Sequence, residues 1–125
     1  MARILIIDDD EPFRTLLEMM LVKAGHAVAV AGNGLEALKL FRAEPADLIL
    51  TDLMMPYDGL ATIRILRGEF PNLGIIAMSG GGNFRLDYAR GLGAHLTLTK
   101  PFAAEQLVTA IAEVLSAHPG AKPTT

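Results

Sequence analysis

The chain has 125 residues, a net charge of −3, no cysteine, and 51% apolar residues, with a pI of about 5.5. That is the length of one domain with enough apolar side chain to bury a core. It excludes a disulfide framework or thiolate metal site and speaks against direct nucleic-acid binding, because no basic stripe is present. Every apolar run is cut by charge, Gly or Pro before it reaches membrane-spanning length, and Met1-Ala2-Arg3-Ile4 passes straight into a strand pattern with no signal peptide. The expectation is a cytoplasmic domain over residues 1–117.

Ile4 to Ile7 is a continuous apolar run, β-branched at Ile4, Ile6 and Ile7, as expected of a strand covered on both faces. Asp8-Asp9-Asp10-Glu11 ends it. Pro12 suits a first helical position, with Asp10 or Glu11 as cap and negative charge at the positive helix end. Phe13, Leu16, Leu17, Met20, Leu21 and Ala24 recur at helical spacing, and Gly25 reads as the stop. His26 to Ala31 reads as a short strand and Gly32-Asn33-Gly34 as a turn. Leu35, Leu38 and Phe41 give a second helix ending near Ala43. Leu48 to Thr51 is a third strand, followed by Asp52 and a loop over Pro56 to Gly59. Leu60, Ile63, Leu66 and Arg67 form a third helix closed by Gly68 and Pro71.

Gly74 to Met78 is a fourth strand, and Ser79-Gly80-Gly81-Gly82-Asn83 a loop. Phe84 to Leu92 reads as a weakly patterned fourth helix stopped by Gly93, and Leu96 to Thr99 as a fifth strand. Pro101 is expected to open the last helix, with Leu107, Val108, Ile111, Val114 and Leu115 as its stripe. Residues 118–125, with Pro119, Gly120 and Pro123, read as a disordered tail.

Five alternations of strand and helix predict an α/β fold, with one parallel sheet between two helical layers. In such sheets a ligand site lies beyond the carboxyl ends of the strands. That rule selects Asp8 and Asp9 after the first strand, Asp52 after the third, Ser79 after the fourth and Lys100 after the fifth. Three converging aspartates repel one another unless a cation joins them. Their hard oxygens suit Mg²⁺, with Mn²⁺ as a substitute. An ionised Asp52 is a nucleophile towards phosphorus. Lys100 supplies positive charge and Ser79 a hydroxyl donor to phosphoryl oxygens. No GxxxxGK[ST] nucleotide loop is present, so the phosphodonor is another phosphoprotein or a small phosphate compound.

Ile6-Ile7-Asp8-Asp9, Leu50-Thr51-Asp52 with Met55-Pro56, Met78-Ser79-Gly80, Gly93-Ala94 and Lys100-Pro101-Phe102 resemble, in this order and spacing, the receiver domains of two-component response regulators. The resemblance runs from residue 3 to about 117. It implies a flavodoxin-like sheet of order 2-1-3-4-5, and transfer of phosphate to Asp52 from a histidine of a sensor kinase or phosphotransfer protein. It further implies Mg²⁺ bound by Asp9 directly, by Asp8 through water, and by Asp52 and the backbone carbonyl of Met54. Ser79 and Lys100 would contact the phosphoryl group. Output would pass through the surface of the fourth helix, fifth strand and last helix, as a monomer or a phosphorylation-dependent dimer. No membrane partner is implied, and the only chemistry is phosphorylation and dephosphorylation of the chain itself. An effector domain beyond the tail stays open.

Three features depart from that family. Thr97 stands where an aromatic residue is usual, Met55-Pro56-Tyr57-Asp58-Gly59 is one residue shorter than Met-Pro-x-x-Asp-Gly, and Gly80-Gly81-Gly82 frees the loop after Ser79. Three other functions compete. A haloacid-dehalogenase-like phosphatase would use Asp8-x-Asp10, but Pro12 replaces the expected Thr or Val. A flavodoxin-like cofactor binder would not place acids in the first loop. A pseudo-receiver that only binds partners would not need all five site residues. His26, His95 and His118 read as surface or loop residues, and Met19, Met20, Met54 and Met55 as packing.

Overall fold

A computed structural model describes residues 2–53, 59–80, 90–91 and 93–117. Met54, the Pro56 loop, the triple-glycine loop beyond Gly80, most of the expected fourth helix and the tail at 118–125 with His118 lie outside the described residues. The elements are β1 (Arg3–Ile7), α1 (Glu11–Lys23), β2 (Ala27–Ala31), α2 (Gly34–Ala43), β3 (Leu48–Asp52), α3 (Gly59–Glu69), β4 (Gly74–Ser79), β5 (Leu96–Thr99) and α4 (Ala104–Ala117). The strands form one parallel sheet of order β2-β1-β3-β4-β5.

The unbroken apolar runs follow from helices on both faces of this sheet. Ile4, Ile6, Leu48, Leu50, Ile76 and Met78 point to one side, where they meet Leu17 and Leu21 of α1 and Leu107, Ile111 and Val114 of α4. Leu5, Ile7, Ile49, Ile75 and Ala77 point to the other, against Ala37 and Phe41 of α2 and Ile63 and Leu66 of α3. Gly74 begins β4 where α4 crosses it, and a Cβ there would lie 2.8 Å from Val114 Cγ1. On the edge strand β5, Leu96 and Leu98 pack towards α1 and α4, so Thr97 faces the opposite side by alternation, beside Ala77.

The helix ends follow local chemistry. Asp10 caps α1, accepting the Phe13 N–H at 3.2 Å. Gly25, at φ +96°, ends it in a Schellman arrangement, with His26 N donating to Leu21 O and Gly25 N to Val22 O, each at 3.0 Å. Asn33, expected only as a turn residue, is the N-cap of α2 and accepts the Glu36 N–H at 2.8 Å.

Several expectations are corrected. Leu16 and Leu35 are 46% and 64% exposed, and Ala24 is exposed too, because each lies on the rim of an arc of which the sheet covers only the centre. Gly68 lies inside α3 and does not end it; the helix runs on to Glu69. Pro101 does not open the last helix. The Lys100–Pro101 bond is cis, and α4 begins only after Ala103, whose N–H donates to Gln106 Oε1 at 2.7 Å. That is the reciprocal half of a capping box.

His26 and His95 hold structural positions. His26 Nδ1 accepts the Ala2 N–H at 3.2 Å, and His95 Nδ1 accepts the Ile75 N–H at 3.1 Å.

Candidate functional site

Parallel pairing in register brings the ends of β1 and β3 together: Ile7 lies opposite Thr51, which places Asp8 and Asp52 one step further along adjacent strands. Asp8 is fully buried and Asp52 is 3% exposed, while Asp9 is exposed. One carboxylate oxygen from each of Asp8, Asp9 and Asp52 lies within 4.8 Å of the other two. The backbone of Asp8 is fixed on both sides. Its N–H donates to Ala31 O at 3.0 Å, and its carbonyl accepts from Arg14 Nη1 at 3.0 Å.

Lys100 completes the cluster from the end of β5. Its Nζ lies 3.3 Å from Asp8 Oδ2 and 3.2 Å from Asp52 Oδ2. The lysine backbone is anchored as well, with its N–H donating to Ser79 O at 2.8 Å. Ser79 is buried at the end of β4. The structure therefore brings Asp8, Asp9, Asp52 and Lys100 into one cluster and sets Ser79 on the strand between Asp52 and Lys100.

Burial pushes the Asp8 carboxyl above its usual value, and the neighbouring Asp52 charge adds to this. The Asp10 N–H, donating to Asp8 Oδ1 at 2.9 Å, and the Lys100 ammonium act in the other direction. A single ammonium does not balance the three carboxylates, and the remaining charge fits a divalent cation. The donors are all oxygen, and one of them faces water. That set suits a hard cation that keeps part of its water shell, so Asp8, Asp9 and Asp52 could hold a metal ion. Asp10 is not part of this group; its carboxylate is turned to the first turn of α1. The Asp8-x-Asp10 pair of a dehalogenase-type phosphatase is thus not assembled as a pair.

Residues 4–112 match the family model described as the response regulator receiver domain. This chain belongs to that family. A receiver domain is the phosphoacceptor module of two-component response regulators. Among curated relatives, the receiver is similar to the response regulator MprA of Mycobacterium tuberculosis, at 36% identity over 117 residues covering 91% of this chain and 50% of the relative. It is also similar to the transcriptional regulatory protein AfsQ1 of Streptomyces coelicolor, at 38% identity covering 92% of this chain and 52% of the relative. The chain thus spans about half the length of these relatives.

Among solved structures, the receiver domain of NtrX from Brucella abortus superposes with a TM-score of 0.85 at 28% identity, covering 90% of this chain and 98% of that one. A CheY-like receiver domain protein from Methanospirillum hungatei gives 0.89 at 25% identity, covering 95% and 97%. The flavodoxin-like strand order expected from the sequence is the one found in this receiver.

Two aromatic residues at the site were not singled out from the sequence as functional. Lys100 Nζ lies 4.3 Å from the centroid of the Phe13 ring, and Phe102 packs against that ring. Helical periodicity marks Phe13 as one more member of the α1 stripe. Its position two residues after the acidic run was the available signal.

Proposed function

We propose that Asp52 accepts a phosphoryl group from the phosphohistidine of a sensor kinase or phosphotransfer protein, and that the modification alters protein–protein contacts of the receiver. The observation that carries this is the placement of Asp52 within one cluster with Asp8, Asp9 and Lys100.

Asp52 Oδ attacks phosphorus and the bond from phosphorus to the donor nitrogen breaks, leaving an acyl phosphate on the chain. Lys100, already against Asp52 Oδ2, pairs with the oxygens of the arriving group, and the Ser79 hydroxyl donates a hydrogen bond to another. Asp8 and Asp9 would hold Mg²⁺ together with Asp52 and the Met54 carbonyl, and the ion, when bound, neutralises charge on the phosphoryl oxygens. Hydrolysis of the acyl phosphate resets the chain, so no outside metabolite is turned over. With Thr97 where the family usually has an aromatic residue, the response cannot rest on rotation of a ring at that position.

The test is incubation with phosphoramidate and Mg²⁺, followed by intact mass and peptide mapping. Wild type should gain one phosphoryl group on Asp52, and Asp52→Asn should gain none. An adduct that persists in Asp52→Asn, or one mapped to Asp8, would overturn the assignment.

A further inference from the structure

The Lys100 ammonium has more than carboxylates for company. Its Nζ is 4.3 Å from the centroid of the Phe13 ring, besides standing 3.3 and 3.2 Å from the oxygens of Asp8 and Asp52. Those two ion-pair distances exceed the 2.7–2.9 Å usual for a charge-assisted hydrogen bond. A lysine also carries a flexible four-carbon stem that two loose contacts do not immobilise. The ring face supplies a third point of attachment.

Phe13 is itself braced. The Phe102 ring packs against it with centroids 6.0 Å apart and an interplanar angle of 75°. Phe102 lies two residues beyond Lys100, so one short connection delivers both the ammonium and the brace for the ring beneath it. The Phe13 N–H is fixed by Asp10 at the start of α1, immediately after the acids. For burial alone a leucine would serve at this partly buried position; only an aromatic face attracts a cation.

We infer that Phe13 is a positioning residue for phosphoryl transfer, holding the Lys100 ammonium in the cleft between Asp8 and Asp52. This rests on the reading of Lys100 as a partner of the phosphoryl oxygens. Phe13 contributes no oxygen to the acidic group, so its effect falls on transfer rate and not on cation binding.

The experiment compares the full chain with Phe13→Leu, Phe13→Met and Phe13→Tyr. The first readout is the proton shift of the Lys100 ε-methylene, which a ring beneath it displaces upfield and which needs neither metal nor phosphodonor. The second is the phosphorylation rate with phosphoramidate at saturating Mg²⁺, set beside the Mg²⁺ dissociation constant from calorimetry. In the Leu and Met variants the upfield displacement should vanish and the rate should fall roughly threefold to fivefold, with the dissociation constant unchanged within about twofold. The Tyr variant should restore both.

A wild-type rate in Phe13→Leu and Phe13→Met overturns the inference. So does an undisplaced Lys100 resonance in wild type, a rate loss that Tyr does not rescue, or an equal loss of Mg²⁺ affinity. If the Leu variant does not fold, the Met variant, of similar volume, decides the matter. A wild-type chain that takes up no phosphate overturns the phosphoacceptor reading instead, and the Lys100 resonance then decides whether Phe13 holds the lysine.

Discussion

The Arg67 guanidinium donates to the Gly93 carbonyl at 2.9 Å, and a Cβ on Gly93 would stand 2.8 Å from Arg67 Nε. Arginine and glycine form one joint. The same guanidinium also donates to the carbonyls of Phe70, Pro71 and Leu73. It ties the end of α3 to the starts of β4 and β5, and its burial lowers the Arg67 pKa from the usual arginine value. Gly93 has φ +127°, so a side chain there meets both backbone strain and a steric clash. Gly93→Ala should cost about 2–4 kcal/mol in urea unfolding, and Arg67→Ala about 2–3 kcal/mol. The double variant should cost less than the sum, because removing the arginine relieves the clash.

A second close approach lies at the same end of the sheet, where Gly74 begins β4 under α4. Gly74→Ala should destabilise by about 1–3 kcal/mol through overpacking against Val114. Adding Val114→Ala should recover part of this, since it removes the methyl that the new Cβ meets. Additive losses in thermal melts would show that the contact is not the cause.

Asp8 should make the metal-free chain less stable than it need be. Its carboxyl is buried and shifted upward, so the native state prefers the proton there. That preference adds stability below the ordinary carboxylate value of 3.8, and the contribution is lost as the pH rises through the raised native value. At neutral pH, Asp8→Asn should therefore raise metal-free stability by about 1–2 kcal/mol. Wild type should gain about 2.7 kcal/mol at a Mg²⁺ concentration one hundred times its dissociation constant, and Asp8→Asn should gain much less. Melts with and without Mg²⁺ measure both, and an Asp8→Asn variant that is less stable than wild type without metal would contradict the first.

His26 sets a separate pH response. Burial lowers its pKa below the usual 6.5, and its Nδ1 must be unprotonated to accept the Ala2 N–H. A depressed imidazole contributes stability above its unfolded value, and that contribution is lost as the pH falls through the native one. Between about pH 7 and about pH 5, wild type should lose more stability than His26→Gln does. Parallel pH curves for the two would refute the role.

Much of this was legible from residue order. Ile4 to Ile7 and Leu48 to Leu50 carry no alternation because both sheet faces are covered, and that alone points to a parallel sheet. Asp8, Asp9, Asp52 and Lys100 each lie at the carboxyl end of a strand-like run, an alternating one in the case of Leu96 to Thr99, so strand ends locate them without coordinates.

What escaped the reading has physical causes. Leu16 and Leu35 sit on the right helical arc, but periodicity does not say how wide a stripe the sheet will cover. Pro101 has the look of a helix start, yet the chain needs Ala103 and Gln106 to make the cap. Phe13 fits an apolar stripe as well as leucine would. Its ring face matters only beside Lys100, a neighbour 87 positions away in the chain that no local pattern reports.

The ion pair between Lys100 and Asp8 joins residues 92 positions apart, across the first and last strands in chain order. A chain emerging from the ribosome has its acids long before it has their counter-charge, and only docking of the final strand supplies it. Partly made or partly unfolded molecules thus carry Asp52 without the lysine that completes its surroundings. Competence to receive a signal then reports that the whole sheet, from first strand to last, has closed.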